Sequence, residues 1–130
     1  MKYKLVVCGG TFDHLHKGHK SFLKQMLELS YEILLGLTTD DFVDKKNRDQ
    51  VFESYDIRKE TLLHFFEKES AKEKVRIEPI DDNYVPETWH ALPIEAIVVS
   101  QDSKRGAEEI NIQRAAKNLS QLLVEVIPMV

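Results

Sequence analysis

The sequence predicts a single α/β domain: a mostly parallel five-stranded sheet with helices on both faces. Three observations predict it. Apolar runs such as residues 3–8 and Ile97-Val98-Val99 are continuous instead of alternating, as strands buried on both faces require. Stretches with apolar residues at helical spacing separate those runs. The 130 residues are also the length of one ordinary domain, with no repeat or linker to divide them.

Residues 3–8 form the first expected strand, ended by Gly9-Gly10. A helix is expected over 18–30, where Phe22, Leu23, Met26 and Leu27 recur at helical spacing. The second strand covers 32–38, carried by Ile33-Leu34-Leu35-Gly36-Leu37. Residues 39–54 are polar and read as a loop with room for one short helix. An amphipathic helix over 55–69 sets Leu62, Leu63, Phe65 and Phe66 on one side. Further strands are expected at 75–80, 94–100 and 122–127, a helix at 106–118, and irregular chain over 81–92, around Pro86. Strands alternating with helices make a Rossmann-like sheet with right-handed crossovers. Such sheets bind ligands beyond the carboxyl ends of their strands, where strand order reverses. Two polar segments, 9–19 and 100–111, follow strand ends and are expected to face one crevice.

Composition narrows the function classes. With 42% hydrophobic and 31% charged residues the chain reads as soluble and globular. A formal net charge of −4 speaks against a nucleic-acid partner, whose footprint is a basic face, but leaves room for a small basic pocket. The amino-terminal apolar run is too short for a signal-peptide core or a membrane span, so the cytoplasm is the expected compartment and no membrane partner is expected. The sole cysteine, Cys8, excludes an intrachain disulfide and a CxxC metal site, and its place at the end of an apolar run predicts a buried, inert thiol. Monomer and small homo-oligomer both remain open.

The chemistry concentrates in residues 9–19. A strand, two glycines and a helix offer backbone N–H groups and a positive helix end to an anion. Thr11 adds a hydroxyl donor. His16 and His19 lie three apart, so both imidazoles point to one side, and Gly18 between them permits close approach by a ligand. Zinc held by His14, His16 and His19 is one reading, but no acid at helical spacing completes a familiar metal set, and no protein metal site is expected. Charge stabilisation during phosphoryl or nucleotidyl transfer is the other, because either ring nitrogen can donate. Asp13 is expected to cap the helix start or tie the turn.

These residues carry a resemblance. Gly9-Gly10-Thr11-Phe12-Asp13-His14-Leu15-His16-Lys17-Gly18-His19 resembles the signature of the cytidylyltransferase-like nucleotidyltransferases. Nearly the whole chain resembles the archaeal and eukaryotic type of phosphopantetheine adenylyltransferase within them. That likeness runs through Gly36-Leu37-Thr38-Thr39-Asp40, Lys45-Lys46, Tyr55-Asp56-Ile57-Arg58 and Pro79-Ile80-Asp81-Asp82-Asn83-Tyr84-Val85-Pro86. It continues in Val98-Val99-Ser100, then Gly106-Ala107, Ile110-Asn111 and Arg114.

The resemblance implies transfer of AMP from ATP to 4′-phosphopantetheine, giving dephospho-coenzyme A and pyrophosphate, with Mg2+ carried by the nucleotide. The acceptor phosphate attacks the α-phosphorus directly. Carried over by position, Thr11 orients that phosphate, His19 stabilises charge on the α-phosphate and His16 stands beside it on the triphosphate. Lys45 or Lys46 contacts acceptor phosphate, Lys46 being counted with the catalytic group. Gly9, Gly10 and Phe12 shape the nucleotide site, bordered by Ser100, Gly106 and Asn111.

Arg58, opening an amphipathic helix, is expected to lie exposed, to pair with Asp56 or Glu60, or to serve a substrate phosphate. Trp89 is expected to line the pantetheine arm or form an apolar lid, and either Arg105 or Arg114 to reach a phosphate. The family's I-S-S-T-x-x-R segment, expected beyond the last strand, is not reached by Val130, which implies either a truncated or unusually short member or a protein that has lost part of its grip on the triphosphate. Two alternatives stand beside the adenylyltransferase: a cytidylyltransferase acting on another phosphorylated small acceptor, and a catalytically weak nucleotide-binding protein.

Overall fold

Val6, Val7 and Cys8 are each no more than 3% exposed, so the strand that holds them needs cover on both faces and a neighbour on both edges. A computed structural model of the protein, which describes residues 1–46, 51–82 and 85–128, supplies both. Strand β1 (Tyr3–Gly10) leads to helix α1 (Lys17–Leu29) and β2 (Ser30–Thr38). Helices α2 (Asp40–Lys46) and α3 (Tyr55–Lys68) precede β3 (Val75–Ile80), and β4 (Ala96–Val99), α4 (Lys104–Ala116) and β5 (Leu123–Val126) complete the domain. The strand order is β3-β2-β1-β4-β5. Every pairing is parallel, so the sheet expected to be mostly parallel is wholly so.

Alternation along β1 divides the core. Val6 and Cys8 pack with Phe22, Leu23 and Met26 of α1 and with Leu62 and Phe66 of α3. Leu5 and Val7 face the other way, against Trp89 and against Ala107 and Ile110 of α4. Full burial of a side chain such as Leu23 or Phe66 stabilises the fold by roughly 1.5–3 kcal/mol. Burial also pushes the Cys8 thiol up to about 12, which keeps it unreactive at neutral pH. No helix among the described residues is long and apolar enough to cross a membrane.

Two local expectations change, and a third is filled in. Gly9 and Gly10 do not end the first strand: they continue it, in register with Gly36 and Leu37. No described glycine has a positive φ, so backbone freedom is not what these positions need, and a Cβ on Gly9 would meet only ordinary contacts at 3.5 Å. A Cβ on Gly10 would stand 3.0 Å from the Phe12 ring, and one on Gly36 only 2.8 Å from Ile80 Cγ2. In the polar stretch over 39–54, the short helix is α2; residues 47–50 lie outside the described structure. Trp89, 1% exposed, is a core residue and not a lid, because its ring fills the space between sheet and α4. Asn83 and Tyr84, earlier in the same segment, lie outside the described residues.

Strand order reverses between β1 and β4. The segments after those two strands therefore rise on the same edge of the sheet, and a cleft opens between them.

Candidate active site

Residues 11–16 connect β1 to α1 through a strained turn. Phe12 and His14 adopt φ of 49° and 47°, a region that side chains with a Cβ rarely occupy. Such strain persists only where the surroundings over-determine it, and here they do. The Phe12 ring is buried over Gly10 and meets His19 edge-on at 5.6 Å. Asp13 accepts from the Glu53 N–H at 2.8 Å and pairs with His14 Nδ1 at 2.6 Å, while Glu53 in turn accepts from the His14 N–H at 2.8 Å. Asp13 thus ties the turn, as expected; it does not cap the helix.

The cap is His16. Its backbone is extended, and its Nδ1 accepts from the N–H groups of Gly18 at 3.0 Å and His19 at 3.4 Å. His19 answers, its Nδ1 accepting from the His16 N–H at 3.3 Å. The H-x-G-H sequence is therefore a reciprocal capping box with imidazoles in place of the usual hydroxyl and carboxylate. The rings stack, centroids 3.8 Å apart and 21° from parallel. An Nδ1 that accepts has no proton, so each neutral ring carries its hydrogen on Nε2, a tautomer assigned by the hydrogen-bond network. This corrects one expectation. The Gly18 and His19 amides are bound to His16 and do not stand bare for an anion; the helix start presents imidazole Nε2–H donors instead, at the positive end of α1.

Burial, and then the neighbouring His16, hold the His19 pKa below its ordinary value, so the ring is neutral at physiological pH. The unfolded chain takes up this proton near pH ~6.5 while the folded protein resists it. The stability the neutral ring contributes is therefore present above that pH and lost as pH falls through the lowered folded value. Urea midpoints at about pH 7.5 and about pH 5.5 test this. His19→Gln, which cannot titrate, is expected to lose less stability across that interval than the parent; an equal loss would contradict the assignment.

The cleft, about 510 Å³, is lined by Gly9, Gly10 and Thr11 on the β1 side and by Ser103, Arg105 and Gly106 on the β4 side. A nucleotide-sized ligand fits such a volume. Thr38 and Ile80, at the ends of β2 and β3, and Phe42 and Val43 of α2 complete its wall. A second groove, about 600 Å³, lies at the opposite, amino end of the strands by Lys4, Glu32 and Arg76, and holds none of the motif residues.

Of the residues singled out in the sequence, Gly9, Gly10, Thr11, Gly106 and Arg105 meet in this cleft. His16 and His19 stack at the helix start that follows it. Others go elsewhere. Both ends of the Asn111 amide are bound to Leu122, donating to its carbonyl at 2.9 Å and accepting from its N–H at 2.7 Å, so Asn111 anchors the entry to β5 and does not border the cleft. Ser100 stops short of the cleft, its hydroxyl 3.4 Å from that of Ser103. Arg114 is 4% exposed and donates to the Ser120 carbonyl at 2.7 Å, which makes it an internal tie. Phe12 supports the site from beneath. Lys45 and Lys46 close α2, and their side chains lie outside what the structure describes.

Arg58 departs furthest from expectation. It is fully buried and pairs neither with Asp56 nor with Glu60. Its guanidinium donates to the Glu53 carbonyl at 2.9 Å, the Thr11 carbonyl at 3.0 Å, Thr38 Oγ1 at 3.4 Å and Asp40 Oδ1 at 3.2 Å. One cation thus stitches the turn, the end of β2 and the start of α2, and its donors are aimed at protein oxygens. Sequence reasoning missed this partner set, and with it Thr38, Asp40 and Glu53. The signal was the Gly36-Leu37-Thr38-Thr39-Asp40 run, whose polar end directly follows a buried strand.

Among the described residues, Asp13, His14 and Glu53 are the group with metal-ligand spacing; the three histidines do not form one. The group is poorly suited to a cation, since Asp13 accepts on both oxygens and its carboxylate raises the His14 pKa, favouring the protonated ring.

A parallel sheet with this strand order, a cleft at its switch point and a histidine pair heading the first helix define a nucleotidyltransferase of the cytidylyltransferase-like class, and the model of the cytidylyltransferase-like family matches residues 7–129. The chain is 37% identical over 129 residues to the phosphopantetheine adenylyltransferase of Methanopyrus kandleri, an alignment spanning 99% of this chain and 81% of that protein. The Pyrococcus abyssi enzyme of the same name is 38% identical over 130 residues, covering 100% and 82% of the two chains. The chain belongs to the phosphopantetheine adenylyltransferases of the cytidylyltransferase-like family. A solved structure of a protein of unknown function from Archaeoglobus fulgidus shares the fold, with a TM-score of 0.79 at 23% identity over 97% of this chain and 90% of that one.

Proposed function

We propose that this cleft binds ATP and 4′-phosphopantetheine and transfers AMP between them, releasing pyrophosphate and forming dephospho-coenzyme A. The observation that carries the proposal is the reciprocal histidine cap. It heads the helix that follows the cleft with two Nε2–H donors, one on a ring kept neutral, and these are proposed to meet the α-phosphate of the bound nucleotide. As the acceptor phosphate attacks the α-phosphorus and the bond to pyrophosphate breaks, negative charge gathers on the α-phosphate oxygens. Donors already aligned stabilise that charge without reorganising. The neutral His19 imidazole suits the task, because it donates without taking up a proton that would have to be returned. Thr11, on the cleft wall at the foot of the turn, meets the acceptor phosphate.

Lys45 and Lys46 are proposed as counter-charges for that phosphate, because their helix also supplies the cleft-wall residues Phe42 and Val43. Arg105 and Gly106, at the start of α4, face the nucleotide from the β4 side. Magnesium, when bound, neutralises charge on the phosphates. It takes most of its ligands from phosphate and water, and Asp82, Asp102 and Glu109 are the carboxylates on the cleft wall. The setting proposed for the reaction is cytoplasmic.

The test is incubation with ATP and 4′-phosphopantetheine, following pyrophosphate and dephospho-coenzyme A. Acceptor-dependent release of both is expected. Nucleotide binding without pyrophosphate would reject the activity, and a strong preference for CTP would move the protein to the cytidylyltransferase reading.

A further inference from the structure

The contact of Arg58 with Thr38, and of Thr38 with Thr11, has a consequence for the direction of a proton. Arginine has donors and no acceptor, so the chain of hydrogen bonds that begins on it has one fixed end. Arg58 Nη1 donates to Thr38 Oγ1 at 3.4 Å, and Thr38 Oγ1 lies 3.0 Å from Thr11 Oγ1. With the guanidinium donating into it, the Thr38 hydroxyl turns its own proton toward Thr11, the acceptor it has among the described residues. Thr11 Oγ1 then accepts from inside the protein, and its proton is left to point into the cleft it lines. The reverse direction would strip the Thr38 proton of that acceptor at a position only 5% exposed.

The same cation holds the Thr11 backbone through its carbonyl at 3.0 Å. It is itself held by the Glu53 carbonyl and by Asp40, whose Oδ1 also accepts from the Tyr55 N–H at 2.8 Å. Neither end of the relay has freedom to turn. We propose that Arg58 and Thr38 are positioning residues that orient the Thr11 hydroxyl as a donor toward the phosphate of the attacking substrate. The proposal rests on the adenylyltransferase reading. It replaces a direct phosphate contact for Arg58 with action at one remove.

The experiment compares Thr38→Val, nearly isosteric but without the hydroxyl, with Thr38→Ser, which keeps it. ATP and 4′-phosphopantetheine are varied separately in a pyrophosphate-release assay. Thr38→Val is expected to lower kcat/KM for the acceptor about tenfold, equivalent to ~1.4 kcal/mol, while KM for ATP stays within about twofold of the parent. Thr38→Ser is expected to recover most of the loss. A purely structural role would lower the melting temperature and leave this split unmoved. Thr38→Ala removes the same hydroxyl without adding bulk and gives a second reading should the valine variant fail to fold. Unchanged acceptor kinetics, an equal fall for both substrates, or a serine variant as poor as the valine one would each overturn the relay. A parent protein with no acceptor-dependent turnover would instead overturn the adenylyltransferase reading, and the relay with it.

Discussion

Replacing His19 with alanine is expected to lower kcat by roughly 10²–10³ while nucleotide binding persists, the usual cost of removing one positioned transition-state donor. His19 has two jobs in this structure, and the variant removes both. Its Nδ1 caps the His16 N–H, and its Nε2–H is the donor proposed to meet the α-phosphate. Loss of a cap costs about 0.5–2 kcal/mol of stability, so a lower melting temperature alone would prove nothing about catalysis. His19→Gln separates the two. Glutamine is a natural partner at the third position of a capping box, so its side-chain oxygen can take the His16 N–H while the imidazole is gone. The glutamine variant is expected to melt near the parent yet stay far below it in turnover. A fall of less than about tenfold for the alanine variant, ~1.4 kcal/mol, is too small for a donor on the α-phosphate.

Arg58→Met is expected to destabilise the fold by about 2–4 kcal/mol, because the carbonyls of Thr11 and Glu53 lose their donor in a partly buried site at ~1–3 kcal/mol each. For a domain of this size that lowers the melting temperature by roughly 10 °C. The ion pair itself contributes little of this. Asp40 is 54% exposed at its side chain, and water recovers most of what such a carboxylate loses. Asp40→Asn, which keeps an oxygen for the Tyr55 N–H, is accordingly expected to cost under about 1 kcal/mol. Thermal melts of the two variants side by side decide the matter: equal losses would mean that charge pairing, not carbonyl satisfaction, holds the turn.

Much of the fold was legible because its signals are local. Buried parallel strands need continuous apolar runs, and residues 3–8 and 32–38 supply them close to the observed bounds, while the edge strand over 75–80 is marked by apolar residues in alternation. Phe22, Leu23, Met26 and Leu27 turn inward on α1 as their spacing requires. The histidine pair was legible for the same reason, since a separation of three on a helix start sets both rings on one side.

The misreadings share a cause. Asn111 and Arg114 follow the family pattern in the sequence, but what they touch, Leu122 and Ser120, depends on how α4 docks beside β5. Gly9 and Gly10 looked like a turn because glycine ends strands on average. Here both continue the strand, and at Gly10 the Phe12 ring needs the space, a crowding that arises only when the turn folds that ring back over β1. Trp89 looked like a lid because proline-rich chain surrounds it, yet the sheet face beneath needed filling.

By itself the sequence determined the alternation of strands and helices, the buried central strands and the motif that brings a threonine and two histidines to the end of the first strand, all set by spacing and propensity within a few residues. Only the tertiary structure decided which donors face the cleft and which are consumed inside the protein. A side chain carries its hydrogen-bonding capacity wherever it goes, but whether that capacity reaches a ligand depends on partners such as Thr38 and Glu53, which stand 20 and 5 residues from Arg58 in the chain and meet it only in the folded sheet.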